Sequence, residues 1–355
     1  MKRGLVLLAA ILCCFSTYSQ ESDSNGNIPE FIVTPRFDAN PYIPTQKGGH
    51  AGFDFANSSL YTFLDGSIGN FSYSMSNHWV STDTPSLYQN AFRSDDVDFI
   101  DWLTLSYQVG QFGFTIGKDM LAIGTCELDY YDVDVHTALV SPFWHKTAIY
   151  QWGGAVDFTT KDESTNLRFQ FGTSPFGELP FASKLFVYSL YWTGEYGCYK
   201  PIWSTNFVEY ERGRFASIIA LGNSFTAGDF TVEVDYMNRA TSLKNFFNQE
   251  WSIGAQLTYN YRDKVEAFVK GGYESYLGSD IFGYEDEQFV PTDNTLCPSY
   301  WYAGGGLHYY PLRDSRALRL HAVAAYNNFA NNVSITVGAT YHFNLTETIL
   351  KHRKK

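Results

Sequence analysis

The chain is short of cysteine, of basic charge and of long apolar runs, and each shortage excludes something. It has five cysteines in 355 residues, and Cys13 and Cys14 lie in an apolar leader. The other three, Cys126, Cys198 and Cys297, are odd in number and far apart, which is neither a disulfide framework nor a zinc spacing. One pair, Cys126 with Cys297, could still bridge in an oxidising compartment. Lysine and arginine total 25 against 37 acids, a formal charge of −12. That balance disfavours a nucleic-acid partner, since like charge repels a phosphate backbone. Beyond the leader no run of 18 apolar residues occurs, so no membrane helix is expected. Helical periodicity is almost absent as well.

Residues 1–19, MKRGLVLLAAILCCFSTYS, combine Lys2 and Arg3 with an apolar stretch from Leu5 to Phe15 and a small, polar end. This is the pattern of a secretory signal peptide, with cleavage expected after Ser19. Lipid attachment at Cys13 or Cys14 is not expected, because Ile11 and Leu12 stand where small residues are needed. Loss of Lys2 and Arg3 with the leader takes the formal charge from −12 to −14.

What the chain has in abundance is aromatic residues and two-residue alternation. Aromatics make up 18% of it, with 26 Tyr and 29 Phe, yet mean hydropathy is only −0.22. In residues 251–262 Trp251, Ile253, Ala255, Leu257, Tyr259 and Tyr261 alternate with polar or small residues. The stretch VSITVGATYHF, 333–343, does the same and ends in aromatics. A period of two puts alternate side chains on opposite faces of a sheet. An apolar band with an aromatic girdle matches the lipid face of an outer-membrane barrel, and the polar set then faces the lumen.

Sixteen such strands can be read, most long enough to cross the hydrocarbon layer at a tilt. Links after even strands are mostly short, such as Gly110-Gln111 and Arg262-Asp263-Lys264, and links after odd strands mostly long. The fold class is therefore all-β, a transmembrane antiparallel β-barrel of about 16 strands with short periplasmic turns and long external loops. The expected organisation is a signal peptide at 1–19, a barrel at 20–344 and a basic periplasmic tail at 345–355. In AGFDFANSSLYTFLDG the apolar phase switches partway, predicting a bulge or a divided strand. A soluble β-sandwich would share the alternation but not the strand lengths or the loop asymmetry.

Two segments carry a family resemblance. NFVEYERGRFASIIALGNSFTAGDFTVEVDYMNRA, 206–240, resembles the phosphate-selective porins, the O and P porin family, and FGFTIGKDMLAIG, 112–124, looks like that family's fifth strand running into its inward third loop. The resemblance implies a 16-stranded homotrimeric porin passing small hydrophilic solutes or ions across the outer membrane, with no cofactor. A preference for phosphate does not follow, because the loop carries four acids that would repel an anion. The ending departs from the usual barrel pattern too, since Phe343 is followed by NLTETILKHRKK.

The candidate constriction is the loop 122–146, with Glu127, Asp129, Asp132 and Asp134 as an acidic rim of the kind that favours cations. Strand phase puts Arg168, Arg239, Arg262, Lys270 and Arg319 on the inner wall, with Arg168 and Lys270 expected opposite the acids. Lys118 falls on the outer phase, so either it snorkels or a bulge at Gly117 turns it in. No spacing ties a particular serine, histidine and acid together, so no catalytic residues and no metal site are assigned. The alternatives are a closed barrel acting as adhesin or scaffold through loops such as 277–299, and a membrane lipase.

Overall fold

The computed structural model describes residues 28–353 except 46–47, 56, 82–99, 142, 145–148, 178, 241–249, 276–299, 314 and 329–330. The leader, Cys297 and the acidic loop 277–299 lie outside the described residues. Among the described residues Cys126 and Cys198 are free thiols.

The strands are β1 (Glu30–Pro44), β2 (Gly52–Asp54), β3 (Ser59–Ile68), β4 (Phe71–Ser81), β5 (Ile100–Val109), β6 (Phe112–Met120), β7 (Tyr150–Thr159), β8 (Thr165–Thr173) and β9 (Phe186–Gly194). They continue as β10 (Tyr199–Glu211), β11 (Arg214–Ala227), β12 (Phe230–Ala240), β13 (Glu250–Tyr261), β14 (Val265–Ser275), β15 (Tyr300–Tyr309), β16 (Leu318–Asn327), β17 (Asn332–Tyr341) and β18 (Phe343–Asn344). All belong to one antiparallel sheet, which closes where β1 pairs with β17 and β18 on one side and with β2 and β3 on the other. β2 with β3, and β17 with β18, are halves of single crossings. The barrel thus has 16 crossings, as the alternation predicts, and no free edge to satisfy in lipid.

The two faces separate as expected. On β13 and β14, Ile253, Leu257 and Val269 are exposed on the outside, while Ser252, Thr258 and Phe268 are buried inside. The outside of β17 exposes Val333, Ile335, Val337 and Tyr341. Short links such as 69–70, 110–111 and 228–229 gather at the end of the barrel that also holds the start of β1 and the end of β18, and most of the long links gather at the other.

Four local points refine the sequence reading. The phase switch in the second crossing is a break between β2 and β3, with Asn57 at φ +69°. Arg262 is not on the inner wall. It and Asp263 take positive φ, +49° and +54°, to close the turn from β13 to β14, and its guanidinium lies 5.0 Å from the Tyr261 ring centroid. Gly117 leaves strand geometry at φ +134°, and Lys118 is buried with its Nζ donating to the Ile100 carbonyl at 2.5 Å, so it does not snorkel. The expected tail begins as a helix, α1 (Leu345–Arg353). Asn344 Oδ1 accepts from the Glu347 amide at 2.9 Å, a side-chain cap, and Thr346 Oγ1 bonds the β1 side through the Phe31 amide and the Pro29 carbonyl.

Candidate functional site

The long link after β6 folds into the lumen because its backbone finds partners on the wall. Irregular backbone at membrane depth must be satisfied by protein or water. The Ala122 amide donates to Gln170 Oε1 at 2.8 Å and the Gly124 amide to Ser204 Oγ at 2.9 Å. Asp235 takes two more, from the Cys126 amide at 2.6 Å and the Glu127 amide at 3.0 Å. In return Asn206 Nδ2 donates to the Ala122 carbonyl and the Gly222 amide to the Gly124 carbonyl, both at 2.7 Å. A Cβ on Gly124 would come within 2.4 Å of the Trp203 backbone, so glycine is what lets the segment lie flat there. Leu121, Ile123, Leu128 and Phe143 then pack against Val187, Val208, Ile218 and Met237 of the wall.

Three single turns of 3-10 helix follow, at Glu127–Asp129, Asp132–Asp134 and Thr137–Leu139. They place the four predicted acids in different surroundings. Glu127 accepts from Ser141 Oγ at 2.6 Å and pairs with Lys270 Nζ at 3.2 Å. Asp134 pairs with Arg319 at 2.6 Å, and Asp132 Oδ1 accepts from the Tyr150 hydroxyl at 3.2 Å. Asp129 alone of the four is exposed. Its exposed side chain still lies close to the wall, and desolvation raises its carboxyl pKa above the usual range against the pull of Lys200.

The basic wall residues are paired as well. Arg168 meets Asp119 at 2.5 Å, and Arg239, fully buried, meets Glu274 at 2.5 Å with its guanidinium 5.5 Å from the Phe143 ring centroid. Lys270 does not stand across an opening from the acids, as strand phase suggests. The loop comes down onto β14 and brings Glu127 into contact with it.

Several residues that matter here carry no sequence signal of their own. Arg36 on β1 donates to the Val133 and Val135 carbonyls at 2.9 and 2.7 Å while pairing with Asp38, which in turn bonds His321 at 2.7 Å. His136 on the loop meets His308 of β15 Nε2 to Nε2 at 3.0 Å. Burial first, then the charges of Arg36, His308 and Arg319, hold the His136 pKa well below the usual value. Adjacent Tyr130 and Tyr131 reach in opposite directions. The Tyr130 hydroxyl donates to Glu233 of β12 at 2.8 Å, and the Tyr131 ring stacks on Trp102 of β5, centroids 5.7 Å apart. β12 is seven crossings on from β5 in the ring of 16, nearly opposite it, so this pair spans the lumen.

Beneath the loop, toward the short-turn end, a cavity of about 470 Å³ remains. Glu127, Asp134 and His136 line it from the loop, and Asn260, Lys270 and Arg316 from the wall. Among the described residues no group of three or more His, Cys, Asp or Glu is arranged to hold a metal ion.

No known family model matches the chain, and no curated protein matches it. Solved structures do. The outer membrane channel DcaP of Acinetobacter baumannii superposes with a TM-score of 0.58 at 11% identity, covering 91% of this chain and 99% of that one. A loop-deletion mutant of OmpT, an outer membrane protein of Vibrio cholerae, gives 0.58 at 13%, covering 90% and 100%. A triple mutant of the Rhodopseudomonas blastica porin gives 0.56 at 11%, covering 89% and 100%. At these identities the likeness is one of fold, that of an outer-membrane barrel.

Proposed function

We propose that the chain is an outer-membrane porin, a passive water-filled channel for small hydrophilic solutes or ions, exported by residues 1–19 and narrowed by the loop 122–146. The observation that carries this reading is the partitioned lumen. Sixteen crossings leave an interior wide enough for water, and the loop divides that interior without filling it, leaving the cavity of about 470 Å³ lined by charged, amide, histidine and hydroxyl side chains together with Phe268, Leu139 and Val135. The apolar outer band suits outer-membrane lipid as surroundings. A homotrimer is supported by the family resemblance and by the trimer form of OmpT from Vibrio cholerae, which superposes with a TM-score of 0.54 at 12% identity. The reading needs no cofactor and no energy coupling. Phosphate preference forms no part of it, because the exposed acid of the loop, Asp129, would repel an anion.

Purified protein in planar bilayers should open steady conductance steps, grouped in threes. Absence of conductance together with esterase or phospholipase turnover would overturn this in favour of a membrane lipase. Absence of both would favour a scaffold or adhesin.

A further inference from the structure

Hydroxyls, amides and ion pairs line much of the lumen, but one strip of it is aromatic. His78 of β4 stacks on Tyr61 of β3 at 4.0 Å, and Tyr61 lies parallel to Phe63 at 6.2 Å. Phe63 meets Trp102 at 5.7 Å and Tyr131 at 6.0 Å, and Trp102 lies near-parallel to Tyr131 at 5.7 Å and reaches Tyr150 at 6.1 Å. Tyr61, Trp102 and Tyr150 all sit close to the long-loop ends of their strands, so the strip runs from that mouth down to the partition. The indole of Trp102 is held in place by its Nε1 donating to Ser74 Oγ at 2.8 Å.

Packing accounts for Tyr61 and His78, which are buried. It does not account for Tyr131, which keeps 59% of its surface exposed while backed by rings that face inward. An aromatic ring left open to a water-filled passage forgoes burial that a rotation against the wall would recover. The charges that bear on its hydroxyl are carboxylates. Partial desolvation by the neighbouring rings, then Asp65, Asp129 and Asp134, raise the Tyr131 hydroxyl above its usual range, and Asp132 is the next residue along.

A fixed aromatic face on which the carboxylates of Asp65 and Asp129 bear matches one kind of small solute. A pyranose lays its C–H face on an aromatic ring and donates its hydroxyls to carboxylates around the edge, as oriented polar groups in an apolar site require. The negative charge of Asp65 and Asp129 repels a phosphorylated or uronic sugar. Resting on the channel reading above, we propose that Tyr131, backed by Trp102 and Phe63, is a stacking subsite for a neutral sugar ring on the way to the partition.

The test uses the full protein in planar bilayers with maltotriose and cellotriose as probes, added to the long-loop side. At least one should interrupt the ion current in a concentration-dependent way, and triglucuronate should do so at least about tenfold more weakly. With block expressed relative to each variant's own open conductance, Tyr131→Ala should raise the half-blocking concentration about tenfold, the worth of one good ring contact. Tyr131→Phe should keep it. The proposal is overturned if neither trisaccharide interrupts the current, if triglucuronate blocks as well as they do, or if Tyr131→Ala is blocked like the parent. A protein with no conductance would fail the channel reading instead. Quenching or enhancement of Trp102 emission by the trisaccharides in detergent, absent in Trp102→Phe, would then decide this one, and no change in emission would overturn it.

Discussion

Asp129→Asn is expected to move ion selectivity toward anions, while the double change Glu127→Gln with Lys270→Met leaves it in place. Both remove acidic charge from the same loop, but Glu127 is already balanced by Lys270 at 3.2 Å, and deleting the pair removes no net charge. Asp129 is the one exposed acid of the four. A unit charge about 6 Å from a passing ion in watery surroundings is worth about 0.7 kcal/mol, roughly a threefold change in local cation concentration. The assay is the zero-current potential in a steep KCl gradient. The shift should be clear near 0.1 M, where screening extends to about 10 Å, and fade toward 1 M, where it is about 3 Å. Because desolvation raises the Asp129 pKa, the parent should drift toward anions as pH falls, earlier than an ordinary carboxylate would allow, and the Asn variant should stay flat. An unmoved potential for Asp129→Asn at low salt, with a clear shift for the charge-balanced double variant, would refute the assignment.

Glu274→Gln leaves the buried Arg239 guanidinium without its carboxylate at 2.5 Å and should cost about 3–5 kcal/mol, read as a lower temperature for the shift in gel mobility on heating; an unchanged temperature would contradict it. Gly117→Ala should cut folding yield, because a Cβ there would sit 2.0 Å from the Leu103 carbonyl oxygen at a φ of +134°, and a parental yield of heat-modifiable barrel would show that the chain relaxes around it. His136 is neutral when docked, so its contribution to loop docking is complete above its ordinary value of 6.5 and declines as pH drops below that toward its depressed docked value. Current noise should therefore grow on acidification and the pH dependence should weaken in His136→Gln; a parental pH profile in that variant would argue against the linkage.

The barrel could be read from the sequence because its signal is periodic and repeated. Each crossing shows alternation independently, and the short-turn and long-loop rhythm checks the count, so even the split at 55–58 appears as a phase switch. The inward course of the loop after β6 was visible only by resemblance and length. Its side-chain partners were not visible at all. Nothing local marks Asp235 as the group that takes two loop amides, or Arg36 as the donor to Val133 and Val135, since those partners lie about a hundred residues away along the chain. Phase placed Lys270 and Arg319 on the inner wall, but phase gives a face and no depth, so it could not say that each would meet an acid of the loop rather than confront one across water. Arg262 departs from its strand phase for a different reason: alternation holds only through Tyr261, and positive φ turns the chain at the next residue.

The segment Tyr130-Tyr131 is fastened to β12 at one end and β5 at the other, and the neighbouring stretch is held by Arg36 and Arg319. In mechanical terms it is a tie rod across a hoop. A wide barrel is soft against flattening, and a strut between nearly opposite staves resists that deformation along its own axis and not at right angles to it. The bore and the cross-section therefore form a single mechanical variable. On the channel reading, lateral pressure on the barrel would reach the passage through this strut, with a direction fixed by where its two ends are pinned.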